Sequence, residues 1–333
     1  MKRLGVFLQE YGVIVALVAL FGVNLLERGT EFLQPEILRN MVSQNAYTGI
    51  IAIGMTLVIM TGGIDLSVGS LVALCGAVGI IVLNGVGANE ASTTLAIALA
   101  GCASLAVGTV AGFLNGFTIA YGRVAPFIVT LAGLAAFRSL ALVLGNGGEI
   151  RSTVESYKEI GFGGIPIPGL QTAVGDPLIF YWHAILFLLI ACFASFLLNR
   201  TAFGRHVIAV GANERAAHYS AVNTRRVKVF VYTLTGALTG IAAFTLSAKQ
   251  NSIGTGSAGL YYELDAIAAV VIGGTSLRGG RGRIWGTVVG VVLLTLITAT
   301  MTTYRVNTNW QGVVRGAVIL IAVLLQRGAR AND

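Results

Sequence analysis

Gly211-Ala-Asn-Glu-Arg-Ala-Ala-His-Tyr-Ser-Ala-Val-Asn223 is a polar stretch in a chain that consists mostly of apolar runs. It lies within residues 199–228, which carry six Lys or Arg residues and one Glu. A segment this rich in charge does not lie in lipid, and an excess of Lys and Arg favours the cytoplasmic side of a membrane. The stretch therefore predicts a cytoplasmic loop with membrane spans on both sides of it.

Within this loop, residues 214–219 predict a short helix that begins at Asn213, because Asn is a favoured residue at helix starts. We expect two small residues, Ala216 and Ala217, to lie on one side of it. A short helix with a flat face can be seated in a groove of a partner protein. The prediction is a docking helix near residues 212–221. Its candidate contact residues are Gly211, Asn213, Glu214, Ala216, Ala217 and His218.

The composition of the chain indicates a membrane protein. Of 333 residues, 55% are hydrophobic and 11% are charged, and the mean hydropathy is +0.81, values far from those of a soluble domain. The net charge of +8 does not indicate nucleic acid, because the basic residues fall in loops and form no single patch. Three cysteines, Cys75, Cys102 and Cys192, lie in apolar stretches, and we expect them to be small buried apolar residues.

Ten apolar runs are long enough to cross the ~30 Å hydrocarbon layer of a bilayer. Ten crossings place both termini on the same side. The eighth run is short and rich in glycine, which predicts a broken or re-entrant span. The runs lie near residues 9–26, 45–62, 65–84, 94–121, 126–145, 178–198, 229–248, 263–277, 284–304 and 311–326.

The distribution of charge predicts the orientation of these spans. With the N-terminus inside, the inner segments carry fourteen Lys or Arg residues, six of them in 199–228, and the outer segments carry six, whereas most Glu and Asp residues fall outside. By the positive-inside rule, both termini are then cytoplasmic. The sizeable outer loop, residues 146–177, either rests against an extracytoplasmic partner or is a plain connector. At its end, Asp176-Pro177 predicts the N-cap and first residue of the sixth span.

Glycines spaced four residues apart recur on three of the spans. Such faces allow helix backbones to approach closely in lipid, and we interpret them as tight packing within one bundle rather than a dimer seam. The glycines are Gly108, Gly112 and Gly116, then Gly236 and Gly240, then Gly286 and Gly290.

Several motifs of soluble enzymes are absent or lack their structural context. Gly254-Thr-Gly-Ser-Ala-Gly259 matches a dinucleotide-binding pattern, but it follows a membrane span and no βαβ unit surrounds it. No lysine of the chain follows a glycine, so the phosphate-binding loop of ATPases is missing. No group of His, Cys or carboxylate residues has the spacing of metal ligands. We expect no metal and no catalytic site.

Ionisable residues in or beside apolar spans are costly, and they mark candidate functional positions. Asp65 either caps the helix that follows it or contacts a solute. Arg138 and Arg315 fall in the outer parts of the fifth and last spans, where they either line a polar entrance or pair with carbonyls and a carboxylate. We expect Asn115 to face a polar interior. The candidate pathway residues are Asp65, Ser67, Asn115, Arg138, Glu263, Asp265 and Arg315.

Eight segments together form a recognisable pattern: Ala52–Ile59, Gly62–Ser70, Gly112–Gly116, Pro126–Leu131, Thr201–Arg205, Gly211–Ala217, Glu263–Thr275 and Gly279–Gly282. With them, nearly the whole chain resembles the permease subunits of bacterial ATP-binding-cassette (ABC) importers for monosaccharides, the ribose, xylose, arabinose and galactose group. The chain departs from that family at His218, where Arg is commoner, and at Ala221, where a Gly commonly ends the coupling helix.

This resemblance implies an all-α polytopic membrane protein of about ten transmembrane helices with a type II-like importer architecture, in which residues 1–333 form a single permease domain. The docking helix would be the coupling helix of the cytoplasmic loop 199–228, and 146–177 would be a periplasmic loop. Implied partners are an ABC ATPase, often fused in tandem, a periplasmic sugar-binding protein, and a second permease copy or a paralogue. ATP and Mg would belong to the ATPase, and this chain would carry no cofactor. The implied location is the bacterial inner membrane.

Two other classes compete with this interpretation. An ion-coupled secondary transporter needs a relay of buried carboxylates at mid-depth, whereas the carboxylates here lie at the margins of spans. An ion-coupled secondary transporter is therefore kept as the alternative function. An intramembrane enzyme needs a catalytic constellation, and the sequence provides none.

Overall fold

The structure is a computed structural model that describes residues 2–87, 93–172, 175–307, 310–314, 316–318 and 320, with side chains from residue 12 onward. This part of the chain is mostly helical. The helices are α1 Lys2–Arg28, α2 Pro35–Ser43, α3 Ala46–Met60, α4 Val68–Val86, α5 Thr93–Gly122, α6 Pro126–Leu144, α7 Tyr157–Phe162, α8 Trp182–Arg200, α9 Ala202–Ala212, α10 Glu214–Tyr219, α11 Thr224–Gln250, α12 Tyr262–Ile272 and α13 Ile284–Thr303. The strands are β1 Glu149–Arg151, β2 Gly164–Gln171, β3 Pro177–Tyr181 and β4 Ser252–Gly254.

Seven of the described helices are long and apolar enough to cross a membrane, or eight if the pair α2 and α3, bent by 44°, counts as one span. The architecture is therefore that of a polytopic helical protein, as the sequence predicts. Helix α12 has 11 residues, which reach only about 16 Å at 1.5 Å per residue. The predicted break in the eighth apolar run is thus confirmed. The last run, 311–326, lies largely outside the described residues.

Helix α3 forms the centre of the bundle, and all 15 of its residues are buried. Polar side chains connect it to α13: the hydroxyls of Thr56 and Thr287 are 2.7 Å apart, and Asn45 Nδ2 donates to Thr295 Oγ1 at 2.8 Å. A helix that is apolar on every side can lie against lipid as well as against protein. The burial of all 15 residues, and not the apolar sequence, therefore places α3 inside the bundle.

The glycine faces pack within this one chain. A Cβ atom built on Gly108 would stand 2.2 Å from the Gly236 carbonyl oxygen, and one on Gly112 would stand 2.3 Å from that of Tyr232. Helices α5 and α11 therefore touch backbone to backbone, which only glycine allows. Likewise, a Cβ on Gly290 of α13 would stand 2.1 Å from the Ala269 carbonyl oxygen. The interpretation of tight packing inside the bundle is confirmed.

Two small sheets lie at one end of the bundle, here named the hairpin end. Strand β1 pairs antiparallel with β4, and β2 with β3. Asn84, near the end of α4, donates to the Arg151 carbonyl oxygen at 2.9 Å. Ser252 donates to Glu149, and this bond, with a second from Arg151, lowers the pKa of the exposed Glu149 carboxyl. The outer loop is therefore folded onto the bundle.

Two local predictions are wrong. Pro177 begins strand β3 and not the sixth span, whose helix starts at Trp182, because pairing with β2 satisfies this backbone in place of a helix. Cys102 and Cys192 lie exposed on helix surfaces, and Cys75 alone of the three is buried. An apolar run does not by itself distinguish the lipid-facing side of a span from its buried side.

We expect Gly236→Ala to lower the stability of the protein, because the added methyl would meet the Gly108 carbonyl oxygen at 2.1 Å. Overpacking of this kind costs about 1–3 kcal/mol. Gly85→Ala is the matched control, since no atom lies within 4 Å of its added methyl. The measurement is the thermal unfolding midpoint of the purified protein in detergent. Equal midpoints for the two variants would contradict the close packing of α5 and α11.

Candidate coupling helix and its link to the broken spans

The predicted docking helix is present in the loop between α8 and α11. Helix α10 spans Glu214–Tyr219, and Asn213 caps it by accepting a hydrogen bond from the Ala216 amide at 3.0 Å. Helix α9 precedes it, capped by Thr201, whose hydroxyl accepts from the Gly204 amide. Much of loop 199–228 is therefore helical. Asn213 therefore begins α10, as the sequence predicts.

The two small residues of α10 do not share a face. Ala217 is 4% exposed and belongs to the core, whereas Ala216 and His218 are exposed. Consecutive helical residues point about 100° apart, since a turn holds 3.6 residues, so the expected flat face of two alanines is wrong. Tyr219 is 89% exposed and offers the largest outward-facing side chain of α10. Ala217 positions the helix on the bundle, while Ala216, His218 and Tyr219 are available to a partner.

An ion pair connects α10 to the start of α11. Lys228 Nζ lies 2.7 Å from the Glu214 carboxylate, and both side chains are partly exposed. A pair of this kind contributes at most about 1 kcal/mol. Its effect is to orient α10 rather than to stabilise the fold. Glu214 is thus already paired within the chain.

A strained residue lies two positions after the end of α10. Ala221 has a φ of +61°, a left-handed conformation that costs a non-glycine residue about 1–2 kcal/mol. The backbone therefore explains why a glycine suits this position, where the sequence has alanine.

Backbone contacts join the end of α9 to the break after α3. The Gly280 amide donates to the Met60 carbonyl oxygen at 2.9 Å. A Cβ built on Gly211 would stand 1.7 Å from that same oxygen, and one on Gly279 would stand 2.8 Å from the Gly211 carbonyl oxygen. We name this set of contacts, formed by Met60, Gly211, Gly279 and Gly280, the glycine junction. It brings three chain segments together two residues before the Asn213 cap of α10.

A buried polar chain begins a few residues beyond Met60. Asp65 is 2% exposed, and its Oδ1 accepts from the Ser67 amide at 2.9 Å and the Ser67 hydroxyl at 2.6 Å. Asn115 Nδ2 in turn donates to the Ser67 hydroxyl at 3.0 Å. Three of the predicted pathway residues therefore form one network. Ser67, not Asp65, is the N-cap residue of α4, and no side chain caps this helix. Asp65 closes a turn just before the helix, so its predicted role as the cap is wrong.

Two further pathway candidates, Arg138 and Glu263, lie near the start of α12. Arg138 Nη1 donates to the carbonyl oxygens of Thr255 and Ala258, each at 2.9 Å, and Glu263 is near enough to attract it electrostatically. Arg138 therefore pairs with carbonyls, as one part of its predicted roles requires, but it forms no ion pair within 4 Å among the described residues. Asp265 borders a small cavity beside α13. Arg315 lies outside the described residues.

Comparison with known proteins places the chain in a family. Residues 37–323 match the family described as branched-chain amino acid transport system / permease component. The chain belongs to this permease family. Among curated members, the ribose import permease protein RbsC of Bacillus subtilis (strain 168) is 41% identical over 332 residues, which cover 98% of this chain and 93% of that protein.

Other relatives extend this similarity to a second kind of permease. RbsC of Escherichia coli (strain K12) is 38% identical over 323 residues, covering 96% of this chain and 94% of that protein. The xylose transport system permease protein XylH of the same strain is 32% identical over 375 residues, covering 98% and 93%. No solved structure matches the chain significantly.

We expect Ala221→Gly to stabilise α10, because it removes the left-handed strain while adding only the smaller cost of glycine flexibility. The net gain should be about 0.5–1 kcal/mol. Ala216→Gly is the matched control on the same helix and should destabilise it by about 0.5–1 kcal/mol. Amide hydrogen exchange of α10 measures both. Slower exchange in Ala216→Gly than in Ala221→Gly would contradict the strain at residue 221.

Proposed function

We propose that the chain is the membrane permease subunit of an ABC importer for a monosaccharide. Membership of a permease family whose matched relatives are named ribose and xylose permeases supports this proposal. The observation that carries it is an exposed helix, α10, which begins three residues after Gly211 of the glycine junction, where the backbone touches the break after α3. A permease that is driven by a separate ATPase subunit needs a surface that binds the ATPase, and a rigid connection from that surface to its transmembrane core.

The proposed assembly follows from this role. Two copies, or one copy and a paralogue, enclose the pathway, each with about ten spans in the type II-like arrangement. A separate ATPase binds α10 on the cytoplasmic side through Ala216, His218 and Tyr219. A periplasmic binding protein delivers the sugar on the other side. Both termini then lie in the cytoplasm. ATP and Mg are bound by the ATPase, and this chain hydrolyses nothing.

The glycine junction gives the link its physical basis. A force on α10 acts on Gly211, whose backbone touches Met60 and Gly279 with no side chain between them. Because Met60 is followed by the break that carries Asp65, a displacement of α10 reaches the Asp65–Ser67–Asn115 network without a flexible intermediate. ATP-driven movement of α10 can thus change the packing of α4 and α5 and alternate the access of the pathway.

Uptake by vesicles that contain the chain, its ATPase and its binding protein tests the proposal. We expect uptake of ribose or xylose to require ATP and both partners, and to survive an ionophore that collapses ion gradients. The chain alone should show no ATP hydrolysis. Uptake that survives ATP depletion and stops with the ionophore would instead support ion-coupled transport.

Substitutions at two glycines with positive φ test the coupling. Gly280→Ala (φ +73°) places its methyl 2.8 Å from Ala212 Cα, while Gly274→Ala (φ +87°) has no atom within 4 Å. Both variants carry backbone strain, but only Gly280→Ala disturbs the junction. We expect sugar transported per ATP hydrolysed to fall about tenfold in Gly280→Ala, as an altered contact of about 1.4 kcal/mol would produce, and to stay near wild type in Gly274→Ala. Equal ratios in the two folded variants would contradict the role of the junction.

A further inference from the structure

The segment between β4 and α12, residues 255–261, is not helical, and it begins at the end of α6. The Thr255 amide donates to the Gly148 carbonyl oxygen at 3.2 Å, four residues beyond Leu144, the last residue of that helix. Arg138 of α6, whose side chain donates to the carbonyl oxygens of Thr255 and Ala258, lies six residues before Leu144, about 9 Å inside the end of α6.

The packing of α12 against α13 gives the depth of the other end of the segment. Gly273 touches Gly286, and Ala269 touches Gly290, so the two helices run antiparallel in a fixed register. This register places Tyr262, the first residue of α12, opposite Ile297, six residues before the end of α13. That is about 9 Å inside the helix end. Helices of 19 and 20 residues only just cross the hydrocarbon layer, so the end of the segment next to α12 lies within it.

Part of this segment is exposed in the single chain. Gly256, Ser257 and Leu260 are exposed, and Tyr261 is 63% exposed. Non-helical backbone at membrane depth cannot face lipid, because its amide and carbonyl groups would lack partners; it is tolerated only against protein or a water-filled cavity. The exposed side of the segment therefore faces away from lipid.

Tyr261 is unusual within the segment. Its φ is +65°, and left-handed backbone in a bulky residue costs about 1–3 kcal/mol and is concentrated at functional sites. Two residues later is the Glu263 carboxylate, which is partly buried near Arg138. An aromatic ring offers a flat apolar surface to the C–H faces of a sugar, and hydroxyl and carboxylate oxygens accept hydrogen bonds from its hydroxyl groups.

We propose that residues 256–263 line the pathway of the permease and that the Tyr261 ring contacts the sugar as it passes. The inference rests on the proposed function, and it adds residues that no sequence motif indicates. A single ring and a few polar groups bind a neutral, polyhydroxylated solute weakly and without a buried charge pair. The contact is therefore transient, as passage through a transporter requires.

Labelling of single cysteines tests the pathway assignment without any partner protein. Cys75, Cys102 and Cys192 are first replaced, and Tyr261→Cys is then probed in membranes with a water-soluble thiol reagent. Leu189→Cys is the matched control: Leu189 is 61% exposed and lies seven residues after Trp182, the first residue of α8, and thus at a similar depth of about 10 Å. We expect Tyr261→Cys to react and Leu189→Cys to stay unlabelled. No labelling of Tyr261→Cys, or equal labelling of both, would overturn the assignment.

Transport by the complete assembly tests the sugar contact. We expect Tyr261→Ala to reduce uptake at low sugar concentration about three- to tenfold, which corresponds to the loss of one aromatic contact, and Tyr261→Phe to retain it. Wild-type uptake in Tyr261→Ala would overturn the contact while leaving the importer function intact. Absence of ATP-dependent uptake in the wild type itself would refute the proposed function, with the labelling result still standing.

Discussion

Peptide groups within a membrane must find their hydrogen-bond partners in the protein, and this constraint determines where the chain can interrupt its helices. The break after α3 is enclosed by the bundle, where the Met60 carbonyl accepts from Gly280 and Asp65 accepts from the Ser67 amide. The second interruption, before α12, is bound by Arg138 on one side and exposed on the other. The first break thus lies beside the end of α9, and the second opens onto the surface that we assign to the pathway.

Glycine makes both breaks compatible with a tightly packed bundle. At the junction, Gly211, Gly279 and Gly280 allow three backbones to touch, and Gly108 and Gly236 do the same for α5 and α11. Contacts between backbones leave no flexible side chain to absorb a movement. The backbone contacts at glycine that pack the permease also make it stiff between α10 and the buried polar network. Our proposal requires such stiffness, because it assigns the driving movement to a separate ATPase.

The sequence predicts much of this arrangement because the decisive signals are local. Apolar runs indicate the spans, the cap at Asn213 indicates α10, and the glycine spacing indicates close packing. Signals that depend on tertiary structure are missed. Ala217 faces the core and Tyr219 faces outward, a distinction that depends on how α10 lies on the bundle.

Pairing in β2 and β3 overrides the helix signal at Pro177. The depth of the residues next to α12 follows only from the register of α12 on α13. The exposed position of Tyr261 has no periodic signature that the sequence could display. The polar residues Asp65, Ser67 and Asn115 are identifiable one by one, but their connection appears only when α4 and α5 are packed.

Distances between spin labels would test most directly whether the junction moves as one body with α10. Labels are placed in cysteine-free chains at the exposed positions Tyr219 on α10, Arg278 in the loop before Gly279, and Phe113 on α5. When the ATPase is trapped with ATP, the account predicts that the distances from Phe113 to Tyr219 and to Arg278 both change while the distance between Tyr219 and Arg278 stays constant. A changed distance between the labels at Phe113 and Tyr219, with an unchanged distance between those at Phe113 and Arg278, would contradict this prediction.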